Sequence, residues 1–356
     1  MGRASVLVGM SGGVDSSVAA CLLAEEGYEV LGCHLELVRD AAGLDHGCCG
    51  PTARADAAAV AAIGGFPFDV VDLRTTFADT VLADFVAEHA AGRTPNPCAR
   101  CNEEIKFGAF LRLADERGID LVATGHYVRA VEDSGSWRLL RGLDATKDQS
   151  YMLAGIGQRA LARSRFPVGG LPKAATRAHA ARLGLPVATK PDSQEICFVA
   201  DGDHATFLAG LAPELLRDGE VVDVAGRTLA RHGGLAGFTV GQRRGLGVST
   251  PAPSYVLELD AERNRVVVGP GELLARAHVE ADRVRWVADA PPAQGPFEAD
   301  VQLRYRGEPV PAVVEARGDG LAVDLRRAQR GVAPGQVLAV YRGDELLGGA
   351  RILRSA

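Results

Sequence analysis

Short apolar segments alternate with helical segments through the first 200 residues, and this alternation restricts the fold more than any other feature of the chain. The apolar segments predict strands, and the segments between them have the residue spacing of helices that bury one face. The predicted strands cover 5–9, 29–35, 68–73 and 121–124, and the predicted helices cover 14–26, 53–63, 75–91 and 105–116. Because parallel strands need long crossovers, this order predicts an α/β fold with a doubly wound parallel sheet.

The composition changes near residue 201, where glycine, valine and arginine become more frequent and short alternating segments stand between turn residues. These segments predict smaller β-rich modules that end in a β-barrel. The strands predicted there cover 255–259, 265–268, 301–305, 310–316, 321–325 and 336–341. We therefore divide the chain into three predicted domains, 1–200, 201–275 and 276–356.

Composition and charge exclude several classes of protein. With 47% hydrophobic and 24% charged residues, the chain is neither disordered nor collagen-like. No uninterrupted apolar stretch is as long as a membrane span, and the N-terminus lacks the pattern of a signal peptide, so we expect a cytoplasmic protein with no membrane partner. The net charge of −6 argues against nucleic-acid binding unless a local basic groove supplies it.

The chain has seven cysteines, and all of them lie in its first 200 residues. A secreted disulfide framework normally has an even number of cysteines in a smaller chain, so these thiols fit a reducing compartment. Cys98 and Cys101 follow a proline-rich loop, and Cys197 lies in a polar segment. Cys101 is predicted at a helix start, where the dipole and nearby cations would lower its pKa. Alternatively, the Cys-x-x-Cys pair is half of a zinc site, with Cys197 or the pair Cys48 and Cys49 as further ligands.

The string Gly-Met-Ser-Gly-Gly-Val-Asp-Ser-Ser at 9–17 follows the first predicted strand and opens the first predicted helix. Its glycines let the backbone approach a ligand, and its hydroxyls join the amides of a helix start to form an anion site. It is neither a Walker A loop nor a GxGxxG dinucleotide loop. A serine-capped helix after a tight turn would explain only one serine and one glycine of the string.

This string resembles the PP-loop of the ATP pyrophosphatases, Ser-Gly-Gly-x-Asp-Ser, and so implies an adenine nucleotide α-hydrolase-like domain. Further motifs extend the resemblance along nearly the whole chain, and together they are similar to those of the tRNA-specific 2-thiouridylase family. These motifs are Cys-Asn-x-x-Ile-Lys-Phe at 101–107, Ala-Thr-Gly-His-Tyr at 123–127, Gly-Leu-Asp at 142–144 with Lys-Asp-Gln-Ser-Tyr at 147–151, Lys-x-Asp-Ser-Gln-Glu-Ile-Cys-Phe at 190–198, Phe-Thr-Val-Gly-Gln-Arg-Arg-Gly-Leu-Gly at 238–247, Arg-Tyr-Arg at 304–306 and Pro-Gly-Gln at 334–336.

The resemblance implies an ATP-dependent tRNA-uridine 2-sulfurtransferase. The wobble uridine of the anticodon would leave the base stack and be adenylated on its C2 oxygen. Sulfur would come from a persulfide on Cys197, loaded by a sulfur-donor protein or a cysteine desulfurase relay. Cys101 would be the nucleophile of the transfer and would be able to form a disulfide with Cys197.

The resemblance also implies two sets of binding residues. The ATP-binding set, with Mg²⁺ beside Asp15, is Gly9, Met10, Ser11, Gly12, Gly13, Val14, Asp15, Ser16, Leu35 and Gly125. The tRNA-binding set is Asn96, Pro97, Cys98, His126, Lys147, Asp148, Gln149, Arg304, Tyr305 and Gln336. A structural hydrogen-bonding role is an equal alternative for His126, and a solvated turn is the alternative for Lys147 and Asp148. The basic string at 242–244 is a further predicted surface for RNA contact or domain packing.

Cys98 departs from the pattern of family members that have an aspartate with an acid/base role at this position. A thiol near its unperturbed pKa of about 8.5 does that job less well at neutral pH. Cys98, Cys101 and Cys197 are alternatively the ligands of an iron–sulfur cluster. Two other functions also stay open: another PP-loop ligase that adenylates a small molecule, and a non-catalytic regulator that binds a metal or a nucleotide.

Overall fold

The computed structural model describes residues 3–38, 50–192, 196–199, 204–250 and 252–356. Cys48, Cys49 and positions 193–195 of the Cys197 motif lie outside the described residues. The strands before residue 200 are β1 (Ser5–Gly9), β2 (Glu29–Glu36), β3 (Phe68–Asp72), β4 (Leu121–Ala123), β5 (Val128–Asp133), β6 (Ser136–Arg141) and β7 (Ser164–Arg165). Five of these described strands form a parallel sheet in the order β3-β2-β1-β4-β7, which confirms the predicted sheet.

Helices connect the first four strands at the predicted places, and three later helices were not predicted. The described helices are α1 (Val14–Glu25), α2 (Pro51–Gly64), α3 (Arg74–Phe77), α4 (Ala83–Ala90), α5 (Pro97–Cys101), α6 (Phe110–Glu116), α7 (Gln158–Ala162), α8 (Lys173–Arg182) and α9 (His204–Leu211). π-helical turns at Ala78–Leu82 and Asn102–Ala109 join α3 to α4 and α5 to α6. Two continuous helical segments therefore cover 74–90 and 97–116.

The helices cover both faces of the parallel sheet because successive strand residues point to opposite sides. Val6 and Val8 of β1 belong to an apolar cluster with Val18 of α1. Leu7, between them, belongs to a different cluster with Phe110 of α6. This two-sided burial confirms the doubly wound arrangement.

The helical segment 97–116 begins earlier than its predicted start at 105. The Asn96 side chain accepts a hydrogen bond from the Ala99 amide at 3.1 Å, and Pro97 occupies the first helical position, where no N–H is needed. Cys98 therefore lies in the first turn, and Cys101 lies at the end of α5. The expectation that Cys101 stands at the helix start is wrong.

The remaining strands form two β structures. A four-stranded sheet in the order β10-β11-β8-β9 contains β8 (Gly219–Asp223), β9 (Thr228–His232), β10 (Ser254–Asp260) and β11 (Arg265–Pro270). The last six strands are β12 (Ala275–Trp286), β13 (Phe297–Gln302), β14 (Val310–Arg317), β15 (Gly320–Arg330), β16 (Val337–Arg342) and β17 (Glu345–Ser355). Because β12 pairs with both β15 and β17, these six close into the predicted antiparallel barrel.

Two features of the barrel differ from the sequence-based expectation. The hairpin β5–β6, which the sequence analysis did not identify, pairs with β17 and so joins the first part of the chain to the barrel. The strand predicted over 301–305 ends at Gln302, because a turn follows in which Gly307 donates to the Arg304 carbonyl. Arg306 takes a positive φ of 57° in this turn. The turn residues Arg304 to Arg306 are therefore presented outside the barrel wall.

Candidate active site

The predicted phosphate loop connects β1 to α1 at the carboxyl edge of the parallel sheet. Its shape is fixed from within, because the Ser16 hydroxyl accepts the Ser11 amide at 3.1 Å and donates to the Gly13 carbonyl at 3.2 Å. Gly13 precedes α1 without a capping side chain. Gly12 has a φ of +68°, and a Cβ there would lie 2.3 Å from the Ala53 carbonyl oxygen. The start of α1 is thus built from backbone amides and hydroxyls, as an anion site requires.

Gly125 forms the opposite wall of this site. It follows β4, the strand next to β1, and a Cβ at this position would lie 2.5 Å from the Ser16 amide nitrogen. Since β2 and β3 lie on one side of β1 and β4 lies on the other, the order of the strands reverses at β1, and such a switch point is the usual ligand crevice of a doubly wound sheet. Leu35, the implied adenosine contact, lies near the end of β2 at the same edge.

We predict that Gly125→Ala weakens ATP binding by about fivefold or more, because an overpacked side chain costs about 1–3 kcal/mol and would displace the amides at the start of α1. Gly170→Ala is the matched control, since a Cβ at Gly170 meets no atom within 4 Å. Calorimetric titration with ATP measures the effect, and thermal melting checks that both variants fold. Equal ATP affinities for the two variants would remove Gly125 from the site.

Asp15 is held by the protein itself. Lys173 Nζ lies 2.7 and 2.8 Å from the two carboxylate oxygens, and the Tyr127 hydroxyl donates at 2.8 Å. Burial raises the pKa of Tyr127 well above its usual value, so this hydroxyl stays protonated. The sequence analysis placed Asp15 beside a bound Mg²⁺, whereas in the structure the Lys173 ammonium neutralises the charge of this carboxylate. As it stands, the Asp15 carboxylate therefore does not fit the role of a Mg²⁺ ligand.

A second lysine, Lys190, also reaches the loop. Its ammonium donates to the Gly12 carbonyl at 3.0 Å and pairs with Asp56 at 2.6 Å. Lys173 and Lys190 thus place two positive charges beside the phosphate loop. The sequence analysis gave neither residue a role, although Lys190 begins one of the quoted motifs.

Two of the candidate thiols share one apolar cluster. Cys101 is buried, Cys197 is half-buried, and both pack with Phe77 and Ile105. Phe198, the residue after Cys197, packs in the same cluster, and its ring lies edge-on to that of Phe77 with centroids 5.4 Å apart.

This thiol cluster lies at the same sheet edge as the phosphate loop. Leu37 and Leu73, which directly follow β2 and β3, belong to the cluster. Cys101 and Cys197 are separated by 96 positions in the sequence, and the fold brings them to the edge where the phosphate loop follows β1.

The other described cysteines differ in their environment. Burial raises the pKa of Cys21 to about 11 and that of Cys33 to about 12, so both stay protonated at neutral pH. Cys98 is half-exposed in the first turn of α5. Within the part of the chain that the structure describes, no three His, Cys, Asp or Glu side chains converge on a metal position. Cys98, Cys101 and Cys197 therefore do not fit a cluster as they stand, and we derive no step through one.

The barrel supports the loop that leads to Cys98. The Gln336 side-chain amide donates to the carbonyls of Thr94 at 2.8 Å and Pro95 at 3.3 Å, and the Thr94 amide donates to the Pro334 carbonyl. The ring of Tyr305 lies 6.2 Å from that of Tyr151. The structure therefore brings Gln336 to the loop that carries Asn96, Pro97 and Cys98.

The other residues of the implied tRNA set make contacts within the protein, and tRNA contact stays a prediction for all of them. His126 is buried and bonds Thr124 Oγ1 at 2.8 Å, and burial lowers its pKa well below the usual value, so the ring is neutral. The internal partners of the others are Asp192 for Lys147, Arg141 for Asp148 and the Tyr127 amide for Gln149. Arg304 is exposed.

Three family models match the chain in sequence. They describe a tRNA methyl transferase HUP domain at residues 4–201, a tRNA methyl transferase PRC-barrel domain at 205–270 and an aminomethyltransferase beta-barrel domain at 276–352. None of the described helices combines the length and the hydropathy that crossing a bilayer requires.

Curated proteins are similar over almost the whole chain. Proteins named tRNA-specific 2-thiouridylase MnmA from Kineococcus radiotolerans, Chloroflexus aggregans and Heliobacterium modesticaldum are 51%, 47% and 45% identical to it. The matches cover 98%, 99% and 99% of this chain and 98%, 99% and 93% of those relatives.

A parallel sheet with a PP-loop at its carboxyl edge, followed by a β-barrel, defines a PP-loop ATP-utilising protein. Within that class, the chain belongs to the tRNA-specific 2-thiouridylase family.

Proposed function

We propose that this protein is an ATP-dependent tRNA-uridine 2-sulfurtransferase. The observation that carries the proposal is the position of two thiols, Cys101 and Cys197, in one cluster at the sheet edge that also bears the phosphate loop. A ligase that only adenylates a small molecule needs the loop but has no use for paired thiols. A regulator that binds a structural metal would need ligands that converge on one position, and the described residues offer no group of three such side chains.

The proposed reaction has two stages. In the first, the C2 oxygen of the wobble uridine attacks the α-phosphorus of ATP, and pyrophosphate leaves. The amides at the start of α1, with Lys173 and Lys190, would stabilise the negative charge that develops on the leaving group. Mg²⁺ bound to ATP would add to this stabilisation. Adenylation turns the C2 oxygen into part of a good leaving group, AMP.

In the second stage the outer sulfur of a persulfide on Cys197 attacks C2, and AMP leaves. The base is then joined to Cys197 through two sulfurs. The Cys101 thiolate attacks the Cys197 sulfur, which releases 2-thiouridine and forms a Cys101–Cys197 disulfide. A cellular thiol would reduce this disulfide, and a persulfide donor protein would reload Cys197. The shared cluster supports this scheme because the two thiols must meet.

The family models and the curated relatives have names for different reactions, methyl transfer and thiolation. The phosphate loop favours thiolation, because transfer of a methyl group from an activated donor needs no ATP cleavage. The relatives named for thiolation also match nearly the full chain. The test is to incubate the purified protein with ATP, a persulfide donor and unmodified tRNA and to analyse the nucleosides. ATP-dependent 2-thiouridine is expected, and a methylated uridine without 2-thiouridine would contradict the proposal.

A local basic surface supports tRNA binding by this acidic protein. The loop at 239–247 meets the end of β15, since a Cβ at Gly241 would lie 3.3 Å from Gly331 Cα, and Thr239 contacts Thr94 near the Cys98 loop. Exposed arginines lie along these segments and in the turn after β13, and none has a carboxylate partner among the described residues. They are Arg243, Arg244, Arg304, Arg306, Arg327 and Arg330. We call them the arginine surface.

We predict that tRNA binding weakens steeply with salt and that the double variant Arg243→Ala, Arg244→Ala reduces this dependence. Each lost phosphate contact lowers the slope of log K against log salt by about 0.7–0.9, so we expect a decrease of about 1–2. Arg227→Ala is the control, because Arg227 is also exposed but pairs with Asp223 at 2.7 Å. A flat salt profile for the unaltered protein would contradict a basic tRNA groove, and an unchanged slope in the double variant would exclude these two arginines.

Three further features belong to the proposal. The division into domains at 1–200, 201–275 and 276–356 is supported by the parallel sheet of the first range and the four-stranded sheet of the second, although the hairpin β5–β6 of the first range pairs with the barrel of the third. The cysteine usage supports a cytoplasmic location, where tRNA and reducing thiols are available. The anticodon region is the proposed part of the tRNA, because Thr94, in the loop that leads to Cys98, contacts Thr239 of the loop that carries Arg243 and Arg244.

A further inference from the structure

One lysine connects the phosphate loop to Asp192, which precedes Cys197 in the chain. We call the described residues around this thiol, 196–199, the Cys197 segment. Lys173 Nζ contacts both carboxylate oxygens of Asp15, and it also lies 2.8 Å from Asp192 Oδ1. Asp192 is five positions before Cys197. Because an extended chain spans at most about 3.6 Å per residue, Asp192 restricts the Cα of Cys197 to within about 18 Å of its own.

Asp192 is the centre of a group of three cations. Besides Lys173, it contacts Lys147 at 2.8 Å and Arg177 at 2.9 Å. Arg177 also donates to the carbonyls of Ala188 and Lys190, so the chain before Asp192 is held as well. Burial opposes ionisation of Asp192, but hydrogen bonds from Lys147 and Lys173 outweigh it and lower the pKa to about 2. The carboxylate is therefore charged at every physiological pH.

The three hydrogen-bond donors of Lys173 are all in use. An ammonium group has three N–H donors, and here two are directed at Asp15 and one at Asp192. The side chain is only 12% exposed, so it has little freedom to gain another partner without losing one. A pyrophosphate group at the start of α1 must compete for this ammonium.

We propose that Asp192 is a positioning residue that fastens the Cys197 segment to the phosphate-loop domain, and that Lys173 makes the strength of this attachment depend on the occupancy of the phosphate loop. An anion in the loop draws Lys173 away from Asp192 and loosens the Cys197 segment. Thiol reactivity at Cys197 thereby follows pyrophosphate binding. This inference rests on the proposed function, because it assumes that the loop binds phosphates.

The test measures the alkylation rate of Cys197 in the full-length protein, with and without saturating inorganic pyrophosphate. Trypsin separates the thiols, since the peptide 183–217 has Cys197 as its single cysteine and the peptide 94–100 has Cys98, which lies outside the shared cluster, as an internal reference. We expect pyrophosphate to accelerate alkylation of Cys197 by about fivefold or more, a typical size for coupling between two sites. In Asp192→Asn the rate should be high without pyrophosphate and should no longer respond to it.

Glu25→Gln is the matched control, because it removes the carboxylate partner of Arg182 at the far end of α1. It should behave like the unaltered protein, and thermal melting should show that both variants fold. Calorimetry with pyrophosphate separates the two ways to fail. If pyrophosphate binds but Cys197 reactivity does not change, or if folded Asp192→Asn responds normally, the inference is wrong and the proposed function stands. If pyrophosphate does not bind at all, the proposed phosphate site fails and the inference fails with it.

Discussion

Replacement of either thiol of the shared cluster stops thiolation. We expect Cys197→Ser and Cys101→Ser each to lower the rate of 2-thiouridine formation by on the order of 1,000-fold or more, because residues that act as one catalytic unit cannot replace each other. A serine hydroxyl at 197 cannot carry a persulfide, and one at 101 cannot attack the disulfide that joins Cys197 to the base. Pyrophosphate release in the presence of tRNA should continue in both variants, since adenylation uses the phosphate loop. Mass spectrometry of the donor-treated protein should find one extra sulfur on Cys197.

Cys21→Ala is the control for this prediction, because Cys21 is buried in α1 and its raised pKa, about 11, keeps its thiol protonated. It should retain nearly full thiolation. Cys98→Asp separates the two sulfur schemes: substantial activity is expected if two thiols suffice, whereas joint loss of iron and activity would indicate a cluster. Thiolation by folded Cys197→Ser, with the extra sulfur on Cys48 or Cys49, would overturn the assignment.

Asp15→Ala should remove adenylation while leaving the fold intact. The change leaves the Lys173 ammonium without two of its three contacts, so the lysine no longer has a fixed position beside the phosphates. We expect the rate of tRNA-dependent pyrophosphate release to fall by about 100-fold or more, as when a preorganised charge is removed from a transition state. The affinity for ATP should change less, because the lost carboxylate also repelled the phosphates.

Two further variants test this prediction, one as a comparison and one as a control. Asp15→Asn retains the size of the side chain and an acceptor for Tyr127 but not the charge, so it should be nearly as slow as Asp15→Ala. Glu25→Ala removes another acidic residue from the same helix, together with its pair to Arg182, and should release pyrophosphate at the normal rate. Near-normal release by folded Asp15→Ala would exclude the proposed role of Asp15.

Local patterns account for the part of the fold that the sequence predicted. Strand–helix alternation placed β1 to β4 and α1 correctly because each of these elements buries residues close in sequence to its own signals. The phosphate loop was predictable for the same reason, since its glycines and its helix start are contiguous. The early start at Pro97 had a local signal as well, the Asn96-Pro97 pair, but the predicted helix began only at 105.

Long-range contacts account for the part that could not be predicted. Lys173 reaches Asp15 across 158 positions, and nothing in the residues around Lys173 indicates that contact. Similarly, Gln336 supports the Thr94 carbonyl across 242 positions. The hairpin β5–β6 had a local signal in its turn residues Ser134 and Gly135, but its pairing with β17 is a long-range contact. Such contacts follow from tertiary packing, so sequence patterns alone do not locate them.

The most direct test of the central claim is nucleoside analysis of tRNA from cells that lack this protein. The account predicts that 2-thiouridine derivatives disappear from the wobble position, that the unaltered chain restores them and that Cys197→Ser does not. Methylated uridines should remain at their normal level in every strain. Unchanged 2-thiouridine in the deficient cells, or loss of a methylated uridine in its place, would contradict the account.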